Sequence, residues 1–386
     1  MKNMKAIPSF LGAGKNKLKI LFVQTTNSGV AYWRLYNYSL AAWRNGIADS
    51  HVLWWQKNLT SCHPWEIEIS DPQYTWRITK EMQDWVLQSD AIVFQMLHTK
   101  SALAAFRAIK DMCPGKTIIS EIDDHMLSTP IYNPADEFYA PQTELRALAL
   151  SQFKESDGMV VSTPYLKEVY SEVNENIHVV PNCIDFTLWD KAKPNPKPGI
   201  RIGWAGGATH TEDLALISGV IDNIGQRFPE IRFVFVHGLP EALRGKPNIV
   251  HVKKWTPILK YPKFIAGQDF DIGIAPLVDN AFNRGKSNIR WLECAALKVP
   301  VVASNVGHFK ETINSGKDGF LADNPAEFEE MLVSLIKDRQ KRVAMGLAAY
   351  ERARRDFNVD TITEEYAAFL AQCVEKKAHQ AQEVMA

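Results

Sequence analysis

The sequence predicts an α/β protein made of two doubly wound domains. Short, almost continuously apolar segments alternate with helical patterns along the chain, as is typical of parallel strands covered on both faces. The alternation is interrupted at residues 190–199 (DKAKPNPKPG), where three prolines, three lysines and one glycine predict a linker. The length of 386 residues likewise favours two domains over one.

Six apolar segments predict the strands of the first domain, residues 18–189. Each is nearly continuous in apolar residues and ends in turn-forming residues. The tail before them, residues 1–17, holds four lysines and no acidic residue, and we expect it to be flexible. The predicted strands are 18–24, 51–55, 91–96, 117–122, 158–162 and 178–180, with helices that include 32–45, 76–88 and 101–112.

The alternation restarts after the linker and predicts a second domain over residues 200–350. Two such domains present a cleft between the carboxyl ends of their sheets, where ligands bind in this class of fold. Beyond the second domain, residues 361–375 form a helical pattern with one apolar stripe that needs a partner. The predicted strands are 200–204, 232–236, 249–252, 271–275, 299–303 and 320–321, with helices that include 213–227, 287–297 and 325–338.

Composition argues against several classes of protein. The formal net charge is zero, and proteins that bind phosphate backbones usually carry a basic excess, so nucleic acid is not favoured as the main partner. The five cysteines are widely spaced without a CxxC pair, which predicts reduced thiols in a cytoplasmic protein. No apolar run approaches the ~20 residues that span a bilayer, and the histidines show no metal-ligand spacing.

The strongest functional signal lies in residues 271–304 (DIGIAPLVDNAFNRGKSNIRWLECAALKVPVVAS), where a buried strand precedes a polar loop and a helix. Lys286, Arg290 and Glu293 are spaced i, i+4, i+7 and would share one helix face. A lysine at a helix N-terminus suits phosphate, and a carboxylate roughly 10 Å further on suits ribose hydroxyls. The same spacing also fits an amphipathic surface helix with an internal ion pair.

This segment resembles the donor-binding segment of retaining GT-B glycosyltransferases of family 4. In this segment the resemblance is carried by residues 292–296 (LECAA) and 299–304 (VPVVAS), and it implies that Glu293 binds the ribose. It extends over essentially the whole chain after residue 17. Gly285 stands where the family has the first of two glutamates, so the sugar and the stereochemical outcome stay open. A subgroup with the pattern FN..KS.I...E is matched instead, through Phe282, Asn283, Lys286, Ser287 and Glu293.

Two further phrases of the family flank the linker. Residues 179–185 (VVPNCID) resemble the phrase that closes the first domain, and residues 201–214 (RIGWAGGATHTEDL) resemble the one that opens the second. Here a strand precedes a glycine pair, which lets backbone approach a diphosphate, and a Thr209–Glu212 capping box. His210 is a candidate donor contact or, alternatively, only a residue of the cap. The expected donor-binding residues of this domain are Gly206, Gly207, His210, Lys286, Ser287 and Glu293.

The loop after the first strand supplies candidates in the first domain. The resemblance places Ser28 and Gly29 against the phosphates of the donor. Arg34 follows on the next helix and is a candidate for phosphate or acceptor binding.

A second group of candidates ends a buried strand at residues 121–125 (EIDDH), at the mouth of the expected cleft. Asp123 or Asp124 would position the acceptor or act as an acid or base, with His125 beside them as an acceptor contact. Alternatively, Asp124 only caps the following turn.

The resemblance implies a GT-B fold, with two Rossmann-like domains facing a cleft and the helix at 361–375 returning to complete the first domain. It also implies transfer of a sugar from a nucleotide-sugar donor to a carbohydrate or sugar-bearing acceptor, with retention and without a metal ion or cofactor. Catalysis would then depend on Asp123, Asp124 and Lys286, the lysine stabilising the charge that grows on the departing diphosphate.

Three other functions are compatible with the sequence. The same chemistry could act on a hydroxymethylated base in DNA, with Arg352, Arg354 and Arg355 as a basic groove contact. An epimerase or phosphorylase of the same fold is disfavoured, because its acid/base or cofactor-lysine motif is not visible. A binding protein that has lost catalysis fits the glycine at Gly285.

Overall fold

The computed structural model describes residues 17–25, 29–54, 65–71, 74–78, 80–133 and 135–385. These residues fall into two compact units. The first unit comprises the described residues within 1–127, 137–181 and 359–386, and the second comprises those within 128–136 and 182–358. The second unit therefore takes in residues 182–189, which were predicted to end the first domain, and the described residues of the short segment 128–136.

A six-stranded sheet forms the centre of the first unit. Its strands lie within two residues of the predicted positions, because strands buried on both faces are continuous apolar segments that the sequence reveals directly. The strands of this unit are β1 (Lys19–Gln24), β2 (Asp49–Trp54), β3 (Trp65–Asp71), β4 (Tyr74–Ile78), β5 (Ala91–Gln95), β6 (Thr117–Ile122), β7 (Gly158–Val161) and β8 (Ile177–Val179). The sheet is parallel throughout, in the order β2-β1-β5-β6-β7-β8, and β3 pairs separately with β4 in an antiparallel hairpin.

The hairpin differs from the prediction, which treats residues 76–88 as one helix. Strand β4 occupies the first part of that range, and the helix Lys80–Gln88 begins only after it. The β4 segment YTWRI is dominated by aromatic and β-branched residues, which favour extended structure. The helical segments before residue 181 are Gly29–Ala31, the π-helical turn Tyr32–Tyr36, Asn37–Arg44, Lys80–Gln88, Lys100–Met112, Met126–Ser128, Asp136–Tyr139, Glu144–Glu155 and Pro164–Tyr170.

The C-terminal helix, Val359–Met385, belongs to the first unit. Its Tyr366 ring lies edge-on to the rings of Tyr38 and Phe22, with centroid separations of 5.4 and 6.1 Å. Leu370, one turn further along, is fully buried. The apolar stripe seen in the sequence at 361–375 thus packs against the first unit.

The second unit contains another six-stranded parallel sheet. Its strands are β9 (Arg201–Gly206), β10 (Arg232–His237), β11 (Ile249–Val252), β12 (Ile272–Ala275), β13 (Val301–Ser304) and β14 (Phe320–Ala322), in the order β11-β10-β9-β12-β13-β14. Chain order reverses between β9 and β12. In open α/β sheets, ligands bind at the carboxyl ends of the strands that flank such a reversal.

Strand β9 is buried along its whole length, and its glycines permit that burial. A Cβ on Gly203 would lie 2.2 Å from the Phe270 ring, so no larger residue fits there. The helical segments of this unit are Phe186–Trp189, Ala208–His210, Thr211–Ala215, Ser218–Arg227, Glu241–Leu243, Ile258–Lys260, Tyr261–Ala266, Ala281–Arg284, Ile289–Ala296, Gly307–Thr312, Pro325–Lys337 and Arg339–Asp356.

Two predicted helices of this unit are shorter than the sequence suggests. The predicted helix 213–227 is two helices, because Ile217 leaves helical geometry (φ −111°, ψ 13°) and is fully buried. The predicted helix 287–297 starts only at Ile289. Asn288 precedes it and donates from Nδ2 to the Thr312 hydroxyl at 3.1 Å, so its side chain does not cap the helix.

Candidate active site

The crevice at the carboxyl ends of β9 and β12 brings together four of the predicted donor residues of the second unit: Gly206, His210, Lys286 and Glu293. Strand β9 ends at Gly206, and the chain after β12 runs through Ala281–Arg284 to the helix Ile289–Ala296. Gly206 has to be glycine, because an added Cβ would lie 2.6 Å from Arg290 Nη2 and 2.5 Å from the Trp204 ring. The end of β9 therefore packs directly against a cationic side chain.

Arg290 supplies positive charge at this corner. Its guanidinium carbon lies 5.6 Å from the centroid of the Trp204 ring, and Nη1 donates to Glu293 Oε2 at 3.2 Å. The side chain is 22% exposed, so a ligand can reach it. Arg290 belongs to the i, i+4, i+7 pattern in the sequence, but it is not among the predicted donor-binding residues, because an arginine there also fits an internal ion pair.

Glu293 is almost completely buried, with 6% of its side chain exposed. Burial raises the pKa of its carboxyl group, while Arg290 and a hydrogen bond from Tyr261 oppose that rise. Tyr261 opens the helix Tyr261–Ala266, and burial raises the pKa of its hydroxyl well above the ordinary value. Arg290 and Tyr261 thus both donate hydrogen bonds to Glu293, the residue predicted to bind ribose, and hold its carboxylate in place. Tyr261 was not predicted, because no sequence motif connects it to Glu293.

Lys286 and Ser287 precede the helix instead of lying on its face, so the predicted shared face of Lys286, Arg290 and Glu293 is wrong. The Lys286 ammonium lies 4.4 Å from the centroid of the Phe282 ring. The Ser287 hydroxyl accepts a hydrogen bond from Asn182 Nδ2 at 2.8 Å. Both residues still lie in the loop that joins β12 to this helix, next to the crevice.

His210 lies at the other edge of the crevice, where it precedes the short helix Thr211–Ala215. The N-cap residue of that helix is His210 instead of Thr209, and its side chain makes no capping hydrogen bond, so the predicted capping box is wrong. His210 Nδ1 lies 2.8 Å from Asp213 Oδ2, and its ring lies edge-on to Trp204 at a centroid separation of 6.0 Å. Burial lowers the pKa of His210, Asp213 opposes that shift, and the nearby charges of Arg290 and Lys286 add to it.

Asp213 is buried and is not among the residues that the sequence motifs indicate. Besides His210, it accepts at Oδ1 from the Val278 backbone amide at 2.9 Å and from Asn283 Nδ2 at 2.8 Å. One carboxylate therefore joins the segment after β9 to the loop after β12. The pattern FN..KS contains Asn283, but nothing in it indicates a partner so far away in the chain.

Arg34 does not serve as a ligand-binding residue in the first unit. It is fully buried, and Nε donates to Glu121 Oε1 at 2.6 Å while Nη1 donates to the Val180 carbonyl at 2.7 Å. Burial raises the pKa of Glu121 and the Arg34 charge opposes that rise. The predicted contact of Arg34 with phosphate or acceptor is wrong, because its guanidinium is buried in an ion pair with Glu121.

Asp123, Asp124 and His125 directly follow β6 and therefore lie at the carboxyl end of the sheet, as predicted. The backbone carbonyl of Asp123 accepts from the Ser162 hydroxyl at 3.2 Å, and that of Asp124 accepts from the Tyr170 hydroxyl at 2.9 Å. His125 is 8% exposed, and burial, aided by Arg146, lowers its pKa.

The loop candidates after β1 are only partly visible. Gly29 begins the helix Gly29–Ala31. Ser28 lies outside the described residues.

The basic cluster near the end of the second unit is paired with acidic residues. Arg352 lies 2.9 Å from Asp318, and Arg354 lies 2.6 Å from Asp190. Arg355 pairs with its neighbour Asp356 at 2.7 Å. These pairs offset the positive charge that the DNA-modifying alternative would use.

Within the described part of the chain, His, Cys, Asp and Glu side chains do not gather into a group that could hold a metal ion. Over the same residues, no helix has the length and apolar character required to cross a membrane.

Known sequences match the chain over part of its length. Residues 219–368 match the family described as Glycosyl transferase-like. Alpha-maltose-1-phosphate synthase of Mycolicibacterium smegmatis is 22% identical over 224 residues, 50% of this chain and 55% of that protein. The GDP-mannose-dependent alpha-(1-6)-phosphatidylinositol monomannoside mannosyltransferase of Mycobacterium tuberculosis is 34% identical over 84 residues, 21% of this chain and 22% of that protein. The chain thus spans about half of the first relative's length and less of the second's.

A solved structure extends the likeness to nearly the whole chain. Anabaena Alr3699/HepE, solved in complex with UDP-glucose, matches with a TM-score of 0.64 over 92% of this chain and 100% of that chain. The fold is GT-B. At 15% identity the likeness establishes the GT-B fold alone, and the chemistry has to be argued from the site.

Proposed function

We propose that this protein is a glycosyltransferase that moves a sugar from a nucleoside-diphosphate sugar to a carbohydrate or sugar-bearing acceptor. The observation that carries the proposal is the convergence of Arg290, Lys286 and His210 on the corner that ends β9, next to the buried carboxylate of Glu293. The GT-B fold and the glycosyltransferase relatives support the same reaction class.

The two ends of this site suit the two ends of a nucleoside diphosphate. The diphosphate would bind at the end of β9. There the side chains of Arg290 and Lys286 supply positive charge, and the glycines Gly206 and Gly207 let the backbone approach the phosphates. A carboxylate accepts hydrogen bonds from both ribose hydroxyls, and Glu293 is already oriented for this by its protein donors. Ser287 completes the phosphate side in this proposal.

The chemical step follows from where charge develops. When the sugar leaves, negative charge grows on the diphosphate, and fixed cations stabilise that charge without reorganising. We assign this role to Lys286 and Arg290, so that the reaction proceeds without a resident metal ion or cofactor. Asp123, Asp124 and His125 of the first unit are proposed to position the acceptor, with retention of anomeric configuration.

The carbohydrate acceptor is preferred over DNA because the arginines that would contact a groove are paired with acids. We place the reaction in the cytoplasm, since Cys113, Cys294 and Cys373 are free thiols.

Two measurements with the purified protein test the proposal. Thermal stabilisation is measured with UDP-, GDP- and ADP-sugars, since a ligand at 100 times its dissociation constant adds about 2.7 kcal/mol to the unfolding free energy. The nucleotide sugar that stabilises is then incubated with carbohydrate acceptors, and nucleoside diphosphate release is followed. Release that depends on the acceptor supports the proposal.

The other outcomes identify the alternatives. Stabilisation without release under any acceptor would indicate a binding protein. Sugar transfer to duplex carrying hydroxymethylated bases, with binding that weakens steeply with salt, would make DNA the acceptor.

A further inference from the structure

One oxygen of the Asp213 carboxylate accepts two hydrogen bonds from the loop after β12. Oδ1 accepts from the Val278 backbone amide at 2.9 Å and from Asn283 Nδ2 at 2.8 Å, which leaves Oδ2 to His210 Nδ1 at 2.8 Å. Asp213 side-chain exposure is 3%, so water does not compete for these contacts. The carboxylate can neither rotate nor move without breaking its bonds to His210 or to the loop after β12.

This arrangement decides which ring nitrogen of His210 faces a ligand. A carboxylate oxygen accepts hydrogen bonds, so Nδ1 carries a proton that it donates to Asp213. Among the described residues, no hydrogen-bond partner is present for Nε2. The ring is 19% exposed and borders the corner where Gly206 and Arg290 meet.

The charges around His210 come from three segments. Asp213 on the following helix favours the imidazolium, whereas Lys286 in the loop after β12 and Arg290 on Ile289–Ala296 disfavour it. The phenol of Tyr132 also lies within electrostatic reach of Asp213 and Glu212. Burial and the two cations lower the pKa of His210, which favours the neutral ring.

A bound diphosphate would reverse that balance. A diphosphate bound beside Nε2 would offset the charges of Lys286 and Arg290 that act on the ring. An anion beside a histidine favours the charged form. The ring could then donate from both nitrogens, to Asp213 through Nδ1 and to a phosphate oxygen through Nε2.

We propose that His210 and Asp213 form a dyad that takes up one proton from solvent when a nucleoside diphosphate binds, with Asp213 as the positioning residue. This inference rests on the proposed function and goes beyond it by assigning the protonation state of the donor site. The proton moves from water or buffer to Nε2, and no bond of the nucleotide forms or breaks. Affinity for the nucleotide then falls as the pH rises through the pKa that His210 has in the complex.

Two variants separate the charge from the hydrogen bond. In Asp213→Asn the amide oxygen can keep the bonds from Val278 and Asn283, while the amide nitrogen faces Nδ1 as a donor. His210 then carries its single proton on Nε2, which keeps a neutral donor toward phosphate but disfavours the imidazolium. His210→Gln removes the titrating group without disturbing the bonds of Asp213 to the loop, and it keeps the proposal testable if the first variant folds poorly.

The experiment is isothermal titration calorimetry at pH 7.0 with UDP, GDP and ADP, using the nucleotide that binds tightest. Enthalpies measured in PIPES and in imidazole give the number of protons exchanged. Because the nucleotide itself titrates near neutral pH, the decisive quantity is the difference between wild type and variants. We expect wild type to take up more protons than either variant, by up to about one per nucleotide bound. Both variants should bind about tenfold more weakly near pH 6.5, and the gap should narrow toward pH 8.5.

Each other result has a defined meaning. Equal proton uptake by wild type and His210→Gln, with nucleotide binding intact, would overturn the dyad while leaving the glycosyltransferase proposal in place. Loss of affinity by the same factor at both pH values would also overturn it, because a purely structural role has no pH dependence. Failure of all three nucleotides to bind the wild type would overturn the proposed function and this inference with it.

Discussion

Replacing Glu293 by glutamine tests the ribose end of the site. The change keeps the size of the side chain and one oxygen acceptor for Arg290 and Tyr261, but it removes the charge. A hydrogen bond to a charged group contributes about 1.5–3 kcal/mol, so nucleotide affinity should fall roughly 10- to 100-fold. With only 6% of the Glu293 side chain exposed, water cannot replace the lost interaction, and we expect the larger loss.

The fold should survive this substitution. Arg290 is 22% exposed and retains water as a partner, and burial already disfavours the charged form of Glu293. The melting temperature should therefore change little. Glu311→Gln serves as a matched control, because Glu311 is 50% exposed and pairs with His308 instead of Arg290.

The assay compares a nucleoside diphosphate with inorganic pyrophosphate by calorimetry. Pyrophosphate has no ribose, so the Glu293→Gln protein should bind it as the wild type does while binding the nucleotide more weakly. Equal weakening of both ligands would mean that Glu293 acts only through Arg290 and the local charge. Unchanged nucleotide affinity would remove Glu293 from the site.

Three further substitutions test other parts of the structure. Lys286→Ala should lower kcat by a factor of ~10²–10³ at saturating donor. Substitution of the exposed Arg284 by alanine serves as the control. A rise in KM without a change in kcat would mean that Lys286 contributes only to ground-state binding. Gly206→Ala should lower the unfolding free energy by about 1–3 kcal/mol through its clash with Trp204 and Arg290. Gly207→Ala should leave it unchanged, because the nearest atom to its added Cβ is 3.8 Å away; equal denaturation midpoints for the two would refute the packing argument. Leu370→Ala should lower the free energy of unfolding by about 2–5 kcal/mol and Tm by roughly 4–20 °C. Substitution of the exposed Gln372 by alanine should change neither. An unchanged Tm for Leu370→Ala would mean that the C-terminal helix contributes little to the stability of the first unit.

The sequence by itself determined the sheets and the central segment of the site. Parallel strands are buried on both faces, so apolar residues run almost without interruption along them, and segments such as Thr117–Ile122 are bounded as predicted. The motif from Lys286 to Glu293 is local, and it identified a carboxylate and a cation beside the crevice. The starts of helices were predicted less accurately. The helix predicted at 287–297 begins at Ile289, and Asn288 before it bonds to Thr312 instead of capping the helix.

Only the tertiary structure decided which polar residues are free to meet a ligand. Arg34 seemed available from its place after the first strand, but Glu121 lies 87 residues away and neutralises it in the interior. Asp213 and Tyr261 had no signal in the sequence, yet they orient His210 and Glu293. The bonds of Asp213 to Val278 and Asn283 span 65 and 70 residues. A spacing rule reaches only the next turn of a helix or the next residue of a strand, whereas a buried carboxylate takes whatever donors the packed fold brings to it.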